Sequence, residues 1–212
     1  MKPIKYTIEP ADTKKFTAQF DRFYSLFSGV YTILLKLFPI WNKWIRTVLP
    51  HIQGPRVLEI SFGTGYLLTQ YANQYDTYAI DYNATFVFNA KKNMENKGIP
   101  VNIQQANVEN MPYAENTFDS IINTMAFTGY PNAEKALSEM KRILKPGGKL
   151  IIVDIDYPEN KNRIGVFLTK FWILMGDLVR NMQPLFDKMD FEVIDKEIGG
   201  WGSVHLYLVQ KK

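Results

Sequence analysis

The sequence predicts an α/β fold: a seven-stranded, mostly parallel sheet with helices on both faces, an antiparallel C-terminal strand and an N-terminal helical cap. Three observations carry that expectation. After Pro55 the chain alternates between short apolar runs and segments of helical period, as parallel strands joined by right-handed crossovers require. The first apolar run, Val57-Leu58-Glu59-Ile60, breaks into the small-residue turn Ser61-Phe62-Gly63-Thr64-Gly65. The chain ends in two strand-like runs around Gly199-Gly200-Trp201-Gly202, read as a tightly joined pair.

The elements follow in order. Residues 1–15 are polar, and from Phe16 to Leu49 the period is helical, with Phe20, Phe23, Tyr24, Phe27 and Tyr31 near helical spacing. Pro39 is expected to separate two helices there. Residues 23–41 are apolar enough to test as a membrane span, but Gly29, Lys36 and Pro39 interrupt them, which argues against a spanning helix. Strands are expected at Arg56–Ile60, Thr77–Asp81, Val101–Gln105, Phe118–Asn123, Lys149–Asp154, Phe191–Ile198 and Ser203–Val209. Helices are expected at Tyr66–Asn73, Ala84–Lys97, Asn132–Leu144 and Gly165–Met182, with Pro146-Gly147-Gly148 as a stop before the fifth strand. Residues 1–50 then form a helical cap and 51–212 the core, with a helical insertion near 160–189.

At 212 residues, 46% hydrophobic and 22% charged, the chain suits one core of ordinary composition. Its formal charge of +4 is scattered rather than gathered into a basic stripe, which argues against nucleic acid as partner. With no cysteine there are no disulfides or zinc–thiolate sites, and no metal site is expected. The N-terminus lacks an apolar signal core. A cytoplasmic location is expected, with peripheral membrane contact open.

The glycine turn suggests a nucleotide, because small residues let backbone approach a ligand. A dinucleotide loop would carry a third glycine at position 68, which is Leu68. Asp81 ends the next strand, where a carboxylate can accept hydrogen bonds from both ribose hydroxyls. Together they point to an adenosine-type ligand. Ser61 stands where glycine would be the easier choice, and a negative φ is expected there.

Four runs extend this reading. VLEISFGTGYLL resembles motif I of the class I S-adenosylmethionine-dependent methyltransferases, which have a Rossmann-like fold. AIDYNATF, QQANVENMPYAENTFDSIINTMAF and EMKRILKPGGKLIIVDI are similar to later motifs of that family in order and spacing. FDRFYSLFSGVY resembles, more loosely, the ubiquinone/menaquinone-biosynthesis and phosphatidylethanolamine methyltransferase branch. The resemblance implies S-adenosylmethionine as cofactor and S-adenosylhomocysteine as product. Glu59 and the loop Ser61, Gly63 and Gly65 would then hold the amino-acid portion of the cofactor. Asp81 would take the ribose, Tyr82 would pack beside the adenine, and Asn107 and Val108 would meet its edge. Asn123 and Thr124 would lie under the sulfonium. Ser61 and Asn107 depart from the family's glycine and aspartate.

Methyl transfer needs alignment and exclusion of water more than a base. Candidates to touch the acceptor are Tyr24, Tyr130, Asp154 and His205, although His205 also reads as a satisfied strand histidine. Aromatic residues on the N-terminal helices and at 164–182 suggest a small hydrophobic acceptor, of lipid or quinone-precursor type. The alternatives are a non-catalytic S-adenosylmethionine-binding or scaffold protein and a nucleic-acid methyltransferase. Oligomeric state is not legible.

Overall fold

The computed structural model describes residues 4–19, 21, 22 and 39–212. Tyr24, Phe20, Phe23, Phe27, Tyr31 and Lys36 lie outside the described residues. The first helix described, α1, runs through 13–19. It is followed by α2 (Pro39–Ile45) and a 3-10 turn at Arg46–His51. The core then runs β1 (Arg56–Ile60), α3 (Leu68–Tyr71), β2 (Asp76–Asp81), α4 (Ala84–Lys97), β3 (Asn102–Gln105) and β4 (Phe118–Thr124). It continues with α5 (Ala133–Ile143), β5 (Leu144–Ile155), α6 (Arg163–Met175), α7 (Met182–Lys188), β6 (Phe191–Gly199) and β7 (Val204–Lys211).

The seven strands form one sheet in the order β3-β2-β1-β4-β5-β7-β6. β1 pairs in parallel with both β2 and β4, and β7 runs antiparallel to its neighbours β5 and β6. The expected α/β architecture is therefore present, with its single reversed strand at the C-terminus. Strand order changes direction between β1 and β4, which opens a crevice at the carboxyl ends of those strands.

The central strands are buried on both faces, so they read as continuous apolar runs rather than as alternation. Leu58, Ile60, Ile121, Leu150 and Ile152 face one core, where α5 and α7 add Leu137, Met140 and Phe186. Val57, Ile122, Ile151 and Val153 face the other, covered by α3 and α4 through Leu68, Phe86 and Ala90. On α5 the buried residues Ala133, Ala136, Leu137, Met140 and Ile143 form one stripe, as a helix lying on a sheet requires. Asn132 caps it by accepting from the Lys135 N–H.

Three expectations are corrected. The helix after the glycine turn is only Leu68–Tyr71, continuing as a 3-10 turn to Gln74. The stretch 165–182 is not one helix: α6 ends at Gly176, whose φ of 113 lies in the left-handed region. Pro146-Gly147-Gly148 lies inside β5 instead of preceding it. Leu144 already pairs with Phe118 and Lys149 with Ser120, so the residues between bulge out of register.

His205 shows why β6 and β7 hold together. It is 2% exposed, with Nδ1 2.8 Å from Asp195 Oδ1 and Nε2 2.9 Å from the Gly202 carbonyl. A carboxylate and a carbonyl both accept, so each ring nitrogen donates and the ring is an imidazolium. Burial opposes that charge. The Asp195 hydrogen bond and charge, with Asp156 nearby, outweigh it and raise the pKa above the ordinary value. The stability from this pair is fully present below the unfolded histidine value near 6.5 and is lost as pH rises through the higher folded value. Urea unfolding of Asp195→Asn should therefore show a deficit of about 1–2 kcal/mol at about pH 6 that closes towards about pH 9. A deficit independent of pH would mean that the ring is neutral.

Candidate functional site

A single cleft lies over the carboxyl ends of β1, β2, β3 and β4, lined by Glu59, Ser61, Gly63, Asp81, Tyr82, Asn107, Val108, Thr124 and Tyr130 among others. Thr17, Asp21 and Trp41 close it from the N-terminal side. Most of the residues expected to bind cofactor are thus brought together. Gly65, Asn123, Asp154 and His205 are not part of its lining. Gly65 instead faces α4, and its φ of 70 lies in the left-handed region that favours glycine. His205 sits in the β6–β7 pair described above.

The loop begins as an extension of β1, with the Ser61 N–H donating to the Ile80 carbonyl at 2.7 Å. It then turns through the left-handed region. Ser61 has φ 57, against the expected negative value. A residue with a Cβ is strained there by roughly 1–2 kcal/mol. The compensation is specific: Ser61 Oγ lies 2.8 Å from the Tyr130 hydroxyl, which also accepts from Asn123 Nδ2 at 2.7 Å. That side-chain amide donates to the Ile60 carbonyl as well, at 3.2 Å. One such bond is worth about 1 kcal/mol net, which offsets most of the strain. Asn123 therefore acts from behind the loop.

Two acids stand at the floor of the cleft. Glu59 is 1% exposed and accepts from the Tyr71 hydroxyl at 3.0 Å. Burial, with the charge of Asp81 adding, pushes its pKa up to about 8. Asp81 accepts from the N–H groups of Gly63 and Asn83, both at 2.9 Å. Burial nevertheless raises it to about 6. Each carboxyl keeps acceptor capacity, and no described cation pairs with either.

On the other side of the cleft, Tyr82 is 45% exposed and Val108 is buried. The Asn107 side-chain Oδ1 accepts from the Glu109 N–H at 2.9 Å, so the residue that departs from the family pattern holds its own turn. The tyrosine at position 130 is buried, and burial pushes its pKa up, so its hydroxyl stays protonated. Asp154 is buried behind the cleft, receiving the Thr128 N–H and hydroxyl and the Ile155 N–H. Sequence reasoning missed Asp177, which lines the cleft from the loop after α6 and shares the Thr128 hydroxyl. Gly176 marks the helix end, but nothing local marks where that loop goes.

S-adenosylmethionine fits these residues on two observations. At Gly63 the space a Cβ would fill is open, so the loop backbone faces the cleft unobstructed. Glu59 is a buried acid facing that cleft with no cation beside it among the described residues, and the cofactor's amino group is one.

The family described as a methyltransferase domain matches residues 58–152. The ubiquinone/menaquinone biosynthesis C-methyltransferase UbiE of Pseudomonas savastanoi is 31% identical over 173 residues, 77% of this chain and 65% of that protein. The protein of the same name from Cellvibrio japonicus is 32% identical, with 77% and 67% covered. The chain thus spans about two thirds of the length of these relatives. A SAM-dependent methyltransferase from Aquifex aeolicus superposes with a TM-score of 0.59 at 21% identity, covering 78% of this chain and 88% of that one. That likeness concerns the fold. Sequence relatives, fold and the acid-floored glycine loop agree that the chain belongs to the class I S-adenosylmethionine-dependent methyltransferases.

Proposed function

We propose that this chain transfers a methyl group from S-adenosylmethionine to a small hydrophobic acceptor of quinone-precursor or lipid type. The observation that carries the first half is the pair of buried acids, Glu59 and Asp81, beneath an open glycine backbone at the strand-order reversal. When bound, the cofactor supplies an electrophilic methyl group on a cationic sulfur. Glu59 holds its ammonium, Gly63 its carboxylate end and Asp81 its ribose hydroxyls. Tyr82, Asn107 and Val108 flank the adenine. Within the 1–50 cap, Thr17, Asp21 and Trp41 line the cleft; covering it there excludes water from an in-line displacement.

The acceptor half rests on apolar surface and on what the relatives' names state. Ile164, Phe167, Phe171 and Leu174 are exposed along one face of α6, and Arg163 and Lys170 are exposed on the same helix. The ring of Trp172 lies 5.7 Å from that of Trp41, which ties this helix to the cleft wall. Such a surface suits contact with an anionic membrane that holds the acceptor. Among the described residues no helix is long and apolar enough to cross one.

Three outcomes follow from this reading. Glu59 keeps its proton up to about pH 8 and must lose it to face a cation. Calorimetry at about pH 7 should therefore detect proton release as S-adenosylmethionine binds, with affinity rising towards about pH 8. Glu59→Gln should abolish that release and weaken binding roughly 10- to 100-fold. Absence of any binding heat at millimolar cofactor would defeat the enzyme reading and favour a scaffold.

The loop is testable through its serine. Tyr130→Phe should cost about 1–3 kcal/mol of stability, because Ser61 Oγ loses its partner. Ser61→Gly should be near neutral in the native protein, yet should recover about 1–2 kcal/mol in the Tyr130→Phe background. Equal effects in both backgrounds would sink the compensation. Finally, the protein should float with anionic vesicles and methylate a component of a lipid extract. Failure of both assays would remove the hydrophobic acceptor.

A further inference from the structure

Ser61 holds a φ of 57, although glycine would take that turn without strain. A strained residue in a ligand loop calls for a use of its side chain, and a count of hydrogens supplies one. Asn123 Nδ2 is fixed by the Ile60 carbonyl at 3.2 Å, because the opposite orientation of the amide would set oxygen against oxygen. Its second hydrogen goes to the Tyr130 hydroxyl at 2.7 Å. Tyr130 and Ser61 carry two hydroxyl hydrogens, and the 2.8 Å contact between them uses one. Among the described residues the other has no acceptor. A phenol that already accepts from an amide is the better donor of the pair, so Tyr130 donates to Ser61 Oγ. The spare hydrogen is then on Ser61, which is half-buried and lines the cleft.

The cleft needs such a donor. Among the described residues its charged lining is acidic throughout: Asp21, Glu59, Asp81, Glu109 and Asp177, with no lysine, arginine or histidine. That lining suits the ammonium and the sulfonium of S-adenosylmethionine, yet it repels the carboxylate of the same molecule. Most glycine-loop N–H groups are already engaged. Ser61 donates to the Ile80 carbonyl, Gly63 to Asp81 and Gly65 to the Phe62 carbonyl. Gly63 therefore leaves room for the carboxylate end while its own hydrogen serves Asp81. Thr64 and Thr124 line the cleft too, but neither hydroxyl has a bond among the described residues that sets its direction. The Ser61 hydroxyl has one, through Tyr130 and Asn123 behind it.

We propose that the Ser61 hydroxyl donates to the carboxylate of S-adenosylmethionine, a neutral anchor that lets an acid-lined cleft accept an amino-acid end. The proposal rests on the methyl-transfer reading above. Tyr130 and Asn123 are positioning residues. By donating to Ser61 Oγ, Tyr130 turns the serine hydrogen outward and makes it the stronger donor. The left-handed turn at Ser61 thus serves the ligand, since strain and internal hydrogen bond nearly cancel in the fold itself.

The test compares S-adenosylmethionine with decarboxylated S-adenosylmethionine, which keeps the ammonium, the sulfonium and the adenosine. By charge alone the acidic lining favours the decarboxylated compound, so the anchor must reverse the sign of the preference. Calorimetry on the native protein at about pH 8 should show S-adenosylmethionine bound at least about tenfold more tightly. Ser61→Gly keeps a turn that glycine tolerates. It should remove that preference or reverse it, while the decarboxylated compound binds as before. Tyr130→Phe should reduce the preference without abolishing it, because the serine hydroxyl remains and loses its orientation. A merely structural role for either residue would change both affinities by one factor and leave their ratio. Absence of a native preference, a preference kept in Ser61→Gly, or an equal loss of both compounds in that variant overturns the proposal. Binding of neither compound by the native protein defeats the methyl-transfer reading and the anchor together, whereas S-adenosylmethionine bound without preference defeats the anchor alone.

Discussion

The burial of two carboxyls at the ends of adjacent parallel strands is the constraint around which the cleft is organised. β1 and β2 pair Ile60 with Ile80, so Glu59 and Asp81 stand one step before and one step after the same rung. Neither has a cation among the described residues; burial raises both, and the Asp81 charge adds to the difficulty of ionising Glu59. A buried carboxylate costs several kcal/mol unless it is paired. That cost is met by a proton on Glu59 and by backbone donors on Asp81. A cationic ligand bearing hydroxyl donors relieves both acids at once. Binding energy is therefore stored as unfinished electrostatics in the open cleft.

That arrangement depends on where the loop backbone lies, and Ser61 controls it. The turn is left-handed at Ser61 and again at Gly63. Glycine at both positions would leave the first turn free to relax. Serine resists the conformation but carries a hydroxyl that reaches Tyr130, and Tyr130 is held in turn by Asn123 at the end of β4. Strain and hydrogen bond are of similar size, so stability changes little. What changes is definition: the β1 loop is tied across the strand-order reversal to β4, which fixes where the Gly63 N–H meets Asp81.

The sheet was legible in the sequence because burial on both faces writes each central strand as an apolar run, and the crossover helices carry their own period. The corrections share a cause, which is long-range contact overriding local preference. Pro146-Gly147-Gly148 looks like a stop, yet pairing of Leu144 with Phe118 absorbs it as a bulge. A positive φ at Ser61 could not be read locally, since the tyrosine that supports it lies 69 residues away. Asp177 is the clearest case. Its neighbours in sequence suggest the end of a helix, and only bonds from Leu178 and Arg180 to residues near 130 bring it to the cleft. Most of the residues expected to hold the cofactor come together in the cleft because they follow strands directly. The acceptor half is assembled from separate segments and was not legible.

Burial raises the pKa of four acids in or behind this cleft, Glu59, Asp81, Asp154 and Asp177, and burial alone does not distinguish their roles. Donor count and access do. Asp154 is surrounded by donors from Thr128 and Ile155 and does not reach the cleft, so its charge is already used in holding the fold. Asp81 has two backbone donors and faces the cleft, which suits a stable carboxylate that accepts from a ligand. Glu59 has only a tyrosine hydroxyl, deep in the floor, where a fixed cation would complete it. Asp177 has one shared hydroxyl, partial access and a like charge behind it. Only an acid so placed can gain and lose a proton without dismantling its surroundings, because its hydrogen-bond partner can reverse direction while Asp154 remains ionised.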